Sequence, residues 1–185
     1  YGPRGANGVV LITTKRGKAN KTTINFNAYG GVQNMWEKPG YLNADQYKEI
    51  MVEAWTNDMY LPAGATFDDF INEYYGGLDF EPTNTNWINE VTRDNAAISS
   101  FELSASGGDA KTRYYISGSM FDQEGVIIGS DYKRFSGRLN LDHSYSEKLS
   151  FSAGVQLSRS ESNRIVSDNT VVGPFANSLA ASPIW

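Results

Sequence analysis

Cysteine is missing from this 185-residue chain and histidine occurs once. The first absence excludes a disulfide framework, a Cys-based metal site and a thiol nucleophile. The second leaves His143 without another imidazole to build a metal or catalytic site with. No uninterrupted apolar run approaches the ~18 residues of a membrane-spanning helix, which excludes a helical membrane protein. It does not exclude a β-barrel, whose alternation keeps mean hydropathy low. Basic charge is also short: 16 Lys and Arg stand against 21 Asp and Glu, a net charge of -5. A general nucleic-acid binder needs a clustered basic face, so no nucleic-acid partner is expected. With no initiator Met and no signal peptide, the expectation is a processed chain or a piece of a longer one.

What is present is alternation, sustained from Ile98 to Ser160. Phe101, Leu103 and Ala105 alternate with Ser100, Glu102, Ser104 and Ser106. Tyr114, Ile116 and Met120 oppose Arg113, Ser117 and Ser119, and Phe135, Leu139 and Leu141 oppose Arg134, Ser136, Arg138, Asn140 and Asp142. Leu149, Phe151, Ala153, Val155 and Leu157 oppose Ser150, Ser152, Gln156 and Ser158. Period two over such lengths predicts antiparallel strands with one apolar and one polar face. An earlier run, Thr22–Gln33, alternates in the same way and predicts a further strand, with a bend or bulge at Gly30-Gly31.

Short connections (Gly107–Lys111, Ser146–Lys148) alternate with longer ones (Gln123–Asp131 and the stretch before Ile98). Outer-membrane barrels have this layout, and runs of ten or more residues suffice to cross a bilayer core, which takes about 9–11. A soluble, secreted β-sandwich that binds glycans through surface aromatics is the alternative of a different class. The fold class expected is all-β, antiparallel up-and-down strands of a partial transmembrane β-barrel, with a helix-containing long loop.

That loop, 34–97, changes period. Asn43 is placed to cap a helix running to Asn57, with Tyr47, Ile50, Met51, Ala54 and Trp55 at i, i+3, i+4 spacing. A second helix is expected over Phe67–Tyr75, stopped by Gly76-Gly77. At the other end of the chain, the glycine-rich Tyr1–Gly8 feeds a strand expected over Val9–Thr14. It cannot be a phosphate loop, because the glycines precede the strand and no Gly-Lys-Ser/Thr opens a helix.

The motif Tyr-Gly-x-Arg-Gly-Ala-Asn-Gly-Val-x-Leu-Ile-Thr-Thr-Lys-x-Gly over residues 1–17 resembles the end of the plug domain in SusC/RagA-type TonB-dependent outer-membrane transporters. Pro3 is its one unusual residue, where a small side chain is common. Further resemblance lies in Leu42–Tyr47, Asn86–Glu90, Ser106–Gly108, Tyr114–Gly118, Asp122–Val126 and Asp131–Arg138. It implies a plug end at 1–18, with a plug–barrel junction at Arg4, Gly5, Asn7 and Gly8. It also implies the first five barrel strands over 19–160, an extracellular loop at 34–97, and the next loop starting at 161–185. The family's complete barrel has about 22 strands. By resemblance the protein sits in the outer-membrane lipid and imports oligosaccharide or peptide nutrients. The TonB complex drives it, through a segment not in this sequence, and a SusD-like lipoprotein caps it; no cofactor is implied.

Other candidates carry less chemistry. His143 falls on the apolar face near a strand end, a structural position. Asp68-Asp69 and Glu90/Asp94 are read as solvated loop carboxylates and not a glycosidase pair, and no enzyme activity is expected. Asp122–Gly125 and Asp168-Asn169 lack the regular spacing of a calcium loop. Trp55 is expected in the core of its helix. Trp36, as an interfacial anchor or ligand platform, and Trp87, Tyr41 and Tyr60 are the candidate substrate or partner contacts.

Overall fold

The computed structural model describes residues 8–11, 13–77, 83–165 and 173–184. Five strands form one sheet in the order β1-β2-β3-β4-β5: β1 Thr23–Gln33, β2 Ala96–Gly108, β3 Thr112–Glu124, β4 Asp131–Ser146 and β5 Leu149–Asn163. Sequence neighbours are therefore sheet neighbours throughout, an up-and-down meander. β2 to β5 hold 13, 13, 16 and 15 residues, longer than the ~9–11 that a tilted strand needs to cross a bilayer core. β5 runs past Ser160 to Asn163, three residues beyond the expected end.

Register follows from the alternation and the turns. β2 and β3 pair antiparallel with Phe101 opposite Met120, Leu103 opposite Gly118 and Ala105 opposite Ile116. Glu102, Ser104 and Ser106 then face Ser119, Ser117 and Tyr115 on the other side. The turn that fixes this register is closed by Asp109, whose Oδ1 accepts the backbone N–H of Lys111 at 2.8 Å and of Thr112 at 2.7 Å. β1 continues unbroken through Gly30 and Gly31, which sit against Ile98 of β2.

At Gly107, opposite Tyr114, the tyrosine lies across the glycine and its hydroxyl meets Thr22 Oγ1 at 2.5 Å. A Cβ at Gly107 would stand 2.9 Å from Thr22 Cα and 3.1 Å from the Tyr114 hydroxyl. Gly107→Val is expected to cost about 1–3 kcal/mol by overpacking, read as a lower denaturant midpoint of the intact protein. An unchanged midpoint would contradict the close approach.

None of the described residues of the expected strand over Val9–Thr14 is in a strand. Among the described residues of 8–18 there is no ladder, and Val10 and Leu11 are exposed. A strand exists through hydrogen bonds to a neighbour, and no described strand runs beside this segment.

Contacts divide the chain into two units, one of the linker and most of the sheet (1–31, 97–123, 132–162) and one of the loops (32–96, 124–131, 163–185). In the loop unit, α1 spans Ala44–Asn57 and α2 Phe67–Tyr75. Both carry a reciprocal capping box, Asn43 with Gln46 and Thr66 with Asp69, which satisfies N–H groups the first turn leaves open. Gly76, in the left-handed conformation at φ 69°, ends α2. Leu61, Phe70 and Ile71 are the buried centre, packed by Met51, Val52 and Trp55 of α1 and by Ala65, Phe67 and Tyr75. The buried face of α1 thus uses Val52 and leaves Ile50 half exposed.

Two short helices were not expected: α3, Trp87–Val91, and α4, Pro174–Ala180. Ile88 and Ile184 are buried here, with backbone bonds from Thr83 to Ile184 and from Thr85 to Pro183. The 125–130 loop joins the same unit. Thr92 bridges Ile127, Arg93 N–H donates to Val126, and Ile128 N–H donates to Val91.

Candidate functional site

On the inner strands β2 to β4 the sheet shows its apolar face and largely covers its polar one, while β1 and β5 are exposed on both faces almost throughout. Ile24, Phe26, Phe101, Leu103, Ile116, Phe135, Leu139, Phe151, Val155 and Leu157 are all among the exposed large hydrophobics. Ser104 and Tyr115, from the opposite face, are buried. A sandwich in water requires the reverse, with apolar faces dry against a second sheet. No second sheet exists among the described residues. Apolar outside and polar inside is the arrangement of a barrel wall in lipid.

The linker ahead of β1 lies on the polar face. Asn140 Nδ2 donates to the Lys15 carbonyl at 2.6 Å. The Arg16 guanidinium pairs with Asp142, whose Oδ1 also accepts from Ser152 Oγ at 2.5 Å. Beside these contacts a cavity of about 490 Å³ is lined by Thr13–Lys15 and by Glu102, Tyr115, Arg134 and Arg138. Arg138 donates to Gln156 at 2.6 Å, and Ser136 meets Ser158 at 3.2 Å. Such a surface can bind polar and charged groups by hydrogen bonds.

The candidate residues of the loop unit separate. Trp87, on α3, donates its indole N–H to the Ser182 carbonyl at 2.8 Å, and the Tyr41 hydroxyl donates to the Ala181 carbonyl. Both therefore hold the 181–184 segment. Trp36 is 99% exposed, and Tyr60 is exposed while packing its ring 5.2 Å from Trp55. Of the residues expected at the junction, Gly8 adopts φ 103°, open to glycine and strained for other residues; Arg4, Gly5 and Asn7 lie outside the described residues.

Several of the candidate carboxylates are partnered. Asp122 pairs with Lys133, Glu124 with Arg93 and Asp94 with Lys38, while Asp168-Asn169 lie outside the described residues. His143 Nδ1 meets Thr112 Oγ1 at 2.7 Å and its ring lies 5.1 Å from Phe151. The Thr66 N–H and hydroxyl hold the Asp69 carboxyl below its ordinary range, as the Thr112 and Lys111 N–H groups do for Asp109. Burial, then the neighbouring Tyr47, pushes the Tyr41 hydroxyl up. Sequence reasoning missed the linker contacts, because nothing local marks Lys15 and Arg16 as neighbours of residues more than 120 positions away.

No protein-family model matches the chain. A TonB-dependent receptor of Formosa agariphila is 34% identical over 142 residues, 77% of this chain and 12% of its own length. A second from that organism is 32% identical over 188 residues, 99% of this chain and 17% of its own. The TonB-dependent receptor SusC of Bacteroides thetaiotaomicron is 26% identical over 185 residues, 99% of this chain and 16% of its own. Among solved structures, the RagAB peptide transporter superposes with a TM-score of 0.65 at 29% identity, covering 88% of this chain and 20% of that one. The RagAB peptide importer in its "closed-closed" state gives 0.64. The chain thus spans a fifth or less of the proteins it matches. A single sheet whose large apolar side chains point outward is what a stretch of barrel wall requires, and the chain belongs to the SusC/RagA-type TonB-dependent transporters.

Proposed function

We propose that the intact protein lies in the outer membrane and imports oligosaccharide or peptide nutrients, driven by the TonB complex and capped by a SusD-like lipoprotein. Residues 1–18 end its plug, 19–160 supply five barrel strands, and 34–97 with 161–185 face the cell exterior. The inverted inner strands carry this reading, with their apolar side chains exposed and part of their polar face under the linker. The kinship with SusC and with a peptide importer supports nutrient import as the task. Uptake of labelled oligosaccharide and peptide mixtures by cells with and without the intact gene tests it, each with and without TonB. Uptake of one class that needs both is expected, and uptake indifferent to both would overturn it.

Within this function, the loop unit forms the lid-facing rim. Its exposed Trp36, Met59, Tyr60 and Tyr74 are large side chains with little to pack against on their outer sides, whereas Trp87 and Tyr41 are engaged within the unit. Aromatic anchors of this kind dominate interfaces. The double variant Trp36→Ala/Tyr60→Ala is expected to weaken lid co-purification or uptake by about tenfold, the equivalent of about 1.4 kcal/mol. Normal barrel assembly with both activities unchanged would leave the loop unit a structural cover only.

A further inference from the structure

The linker is tied to the sheet more closely than a connection requires. Two successive residues are bonded to the sheet, and the next passes close to a third strand. The Lys15 carbonyl accepts from Asn140 of β4 at 2.6 Å, and Arg16 pairs with Asp142 of β4, which Ser152 of β5 supports at 2.5 Å. Gly17 passes so near β3 that a Cβ there would stand 2.4 Å from the Tyr114 backbone N and O. An isolated exposed ion pair contributes little. Here the pair sits between a backbone hydrogen bond and a close backbone approach, and Asp142 is three-quarters covered, its side chain 25% exposed.

We propose that this node is a latch, holding the end of the plug on the β3–β5 wall throughout import, so that substrate passes along another part of the barrel interior. The proposal rests on the reading of 1–18 as the plug's end. A force that draws on the plug from its N-terminal side travels along the backbone until it meets a tied residue, and Lys15 and Arg16 are tied. The cavity behind Thr13–Lys15 then stays covered on this side while the rest of the plug rearranges. Nothing in the latch hinders import, because the moving part lies ahead of it.

The test uses the intact transporter with Arg16→Cys and Asp142→Cys, joined by a short bismaleimide, so that one assembled molecule is compared before and after linkage. Arg16→Ala and the unlinked cysteine pair are expected to admit a large antibiotic, normally excluded by the outer membrane, several-fold more readily than the parent. Linkage is expected to restore exclusion and leave nutrient uptake at the parental rate. If the pair links and uptake stops, the linker must leave the wall during import and the latch is wrong, although the plug-end reading stands. Unchanged exclusion in Arg16→Ala also overturns the latch. If the assembled barrel does not link at all, the linker is not on the wall and the plug-end reading itself fails.

Discussion

Replacing Leu139 by arginine in the intact protein is expected to cost about 2–4 kcal/mol, the penalty for a cation on the lipid face near the bilayer midplane. Leu139 stands at the middle of β4 and is exposed on the apolar face, beside residues that point the other way. Ser136→Arg, on the polar face, is the control and is expected to cost less than about 1 kcal/mol. Asn140, the adjacent polar residue, is unsuitable because it holds the Lys15 carbonyl. A refolding titration into lipid vesicles reads both variants. Equal midpoints would mean that the faces are wrongly assigned.

In the loop unit the largest effect is expected at Phe70, which is 1% exposed. Its ring meets Trp55 at 5.3 Å, Phe67 at 5.6 Å, Tyr74 at 5.6 Å and Tyr75 at 6.1 Å. Phe70→Ala removes the shared partner of these rings and is expected to destabilise the α1–α2 pair by about 3–5 kcal/mol. The barrel need not unfold, so the measurement is limited proteolysis between residues 57 and 77 together with Trp55 fluorescence. Cleavage and emission like those of the parent would refute the aromatic core. Acid acts at the start of the same helix. The Asp69 carboxyl is held low by Thr66, so its contribution is present above the ordinary carboxylate range and is lost as pH falls through its lowered value. Cleavage is therefore expected to increase on the acid side only.

Most of the sheet was legible because its signal is local and repeated. Leu149 to Leu157 places every second residue on one side, and the same count puts His143 with Phe151, where the rings meet. α2 was legible through Gly76, since only a residue at ease with φ 69° ends the helix there without strain. α3 and α4, of five and seven residues, are too short to build a periodic face. Two further features depend on partners distant in sequence. Val9–Thr14 looks like a strand and has no described neighbour to pair with. Lys15 to Gly17 look like a polar linker, and the contacts on Asn140, Asp142 and Tyr114 come from strands over 90 residues away.

The bridge between 91–93 and 126–128 has an evolutionary consequence. Two hydrogen bonds, from Arg93 to Val126 and from Ile128 to Val91, weld the stems of loops that leave different hairpins. An insertion or deletion near either stem shifts both loops at once, so length drift is penalised there. The tip between α1 and α2 has no such weld: Met59, at φ 62°, and Tyr60 project outward beyond the helix end. Diversification among descendants of this protein should therefore concentrate at the tip, where a change in length moves one loop and leaves its neighbour in place.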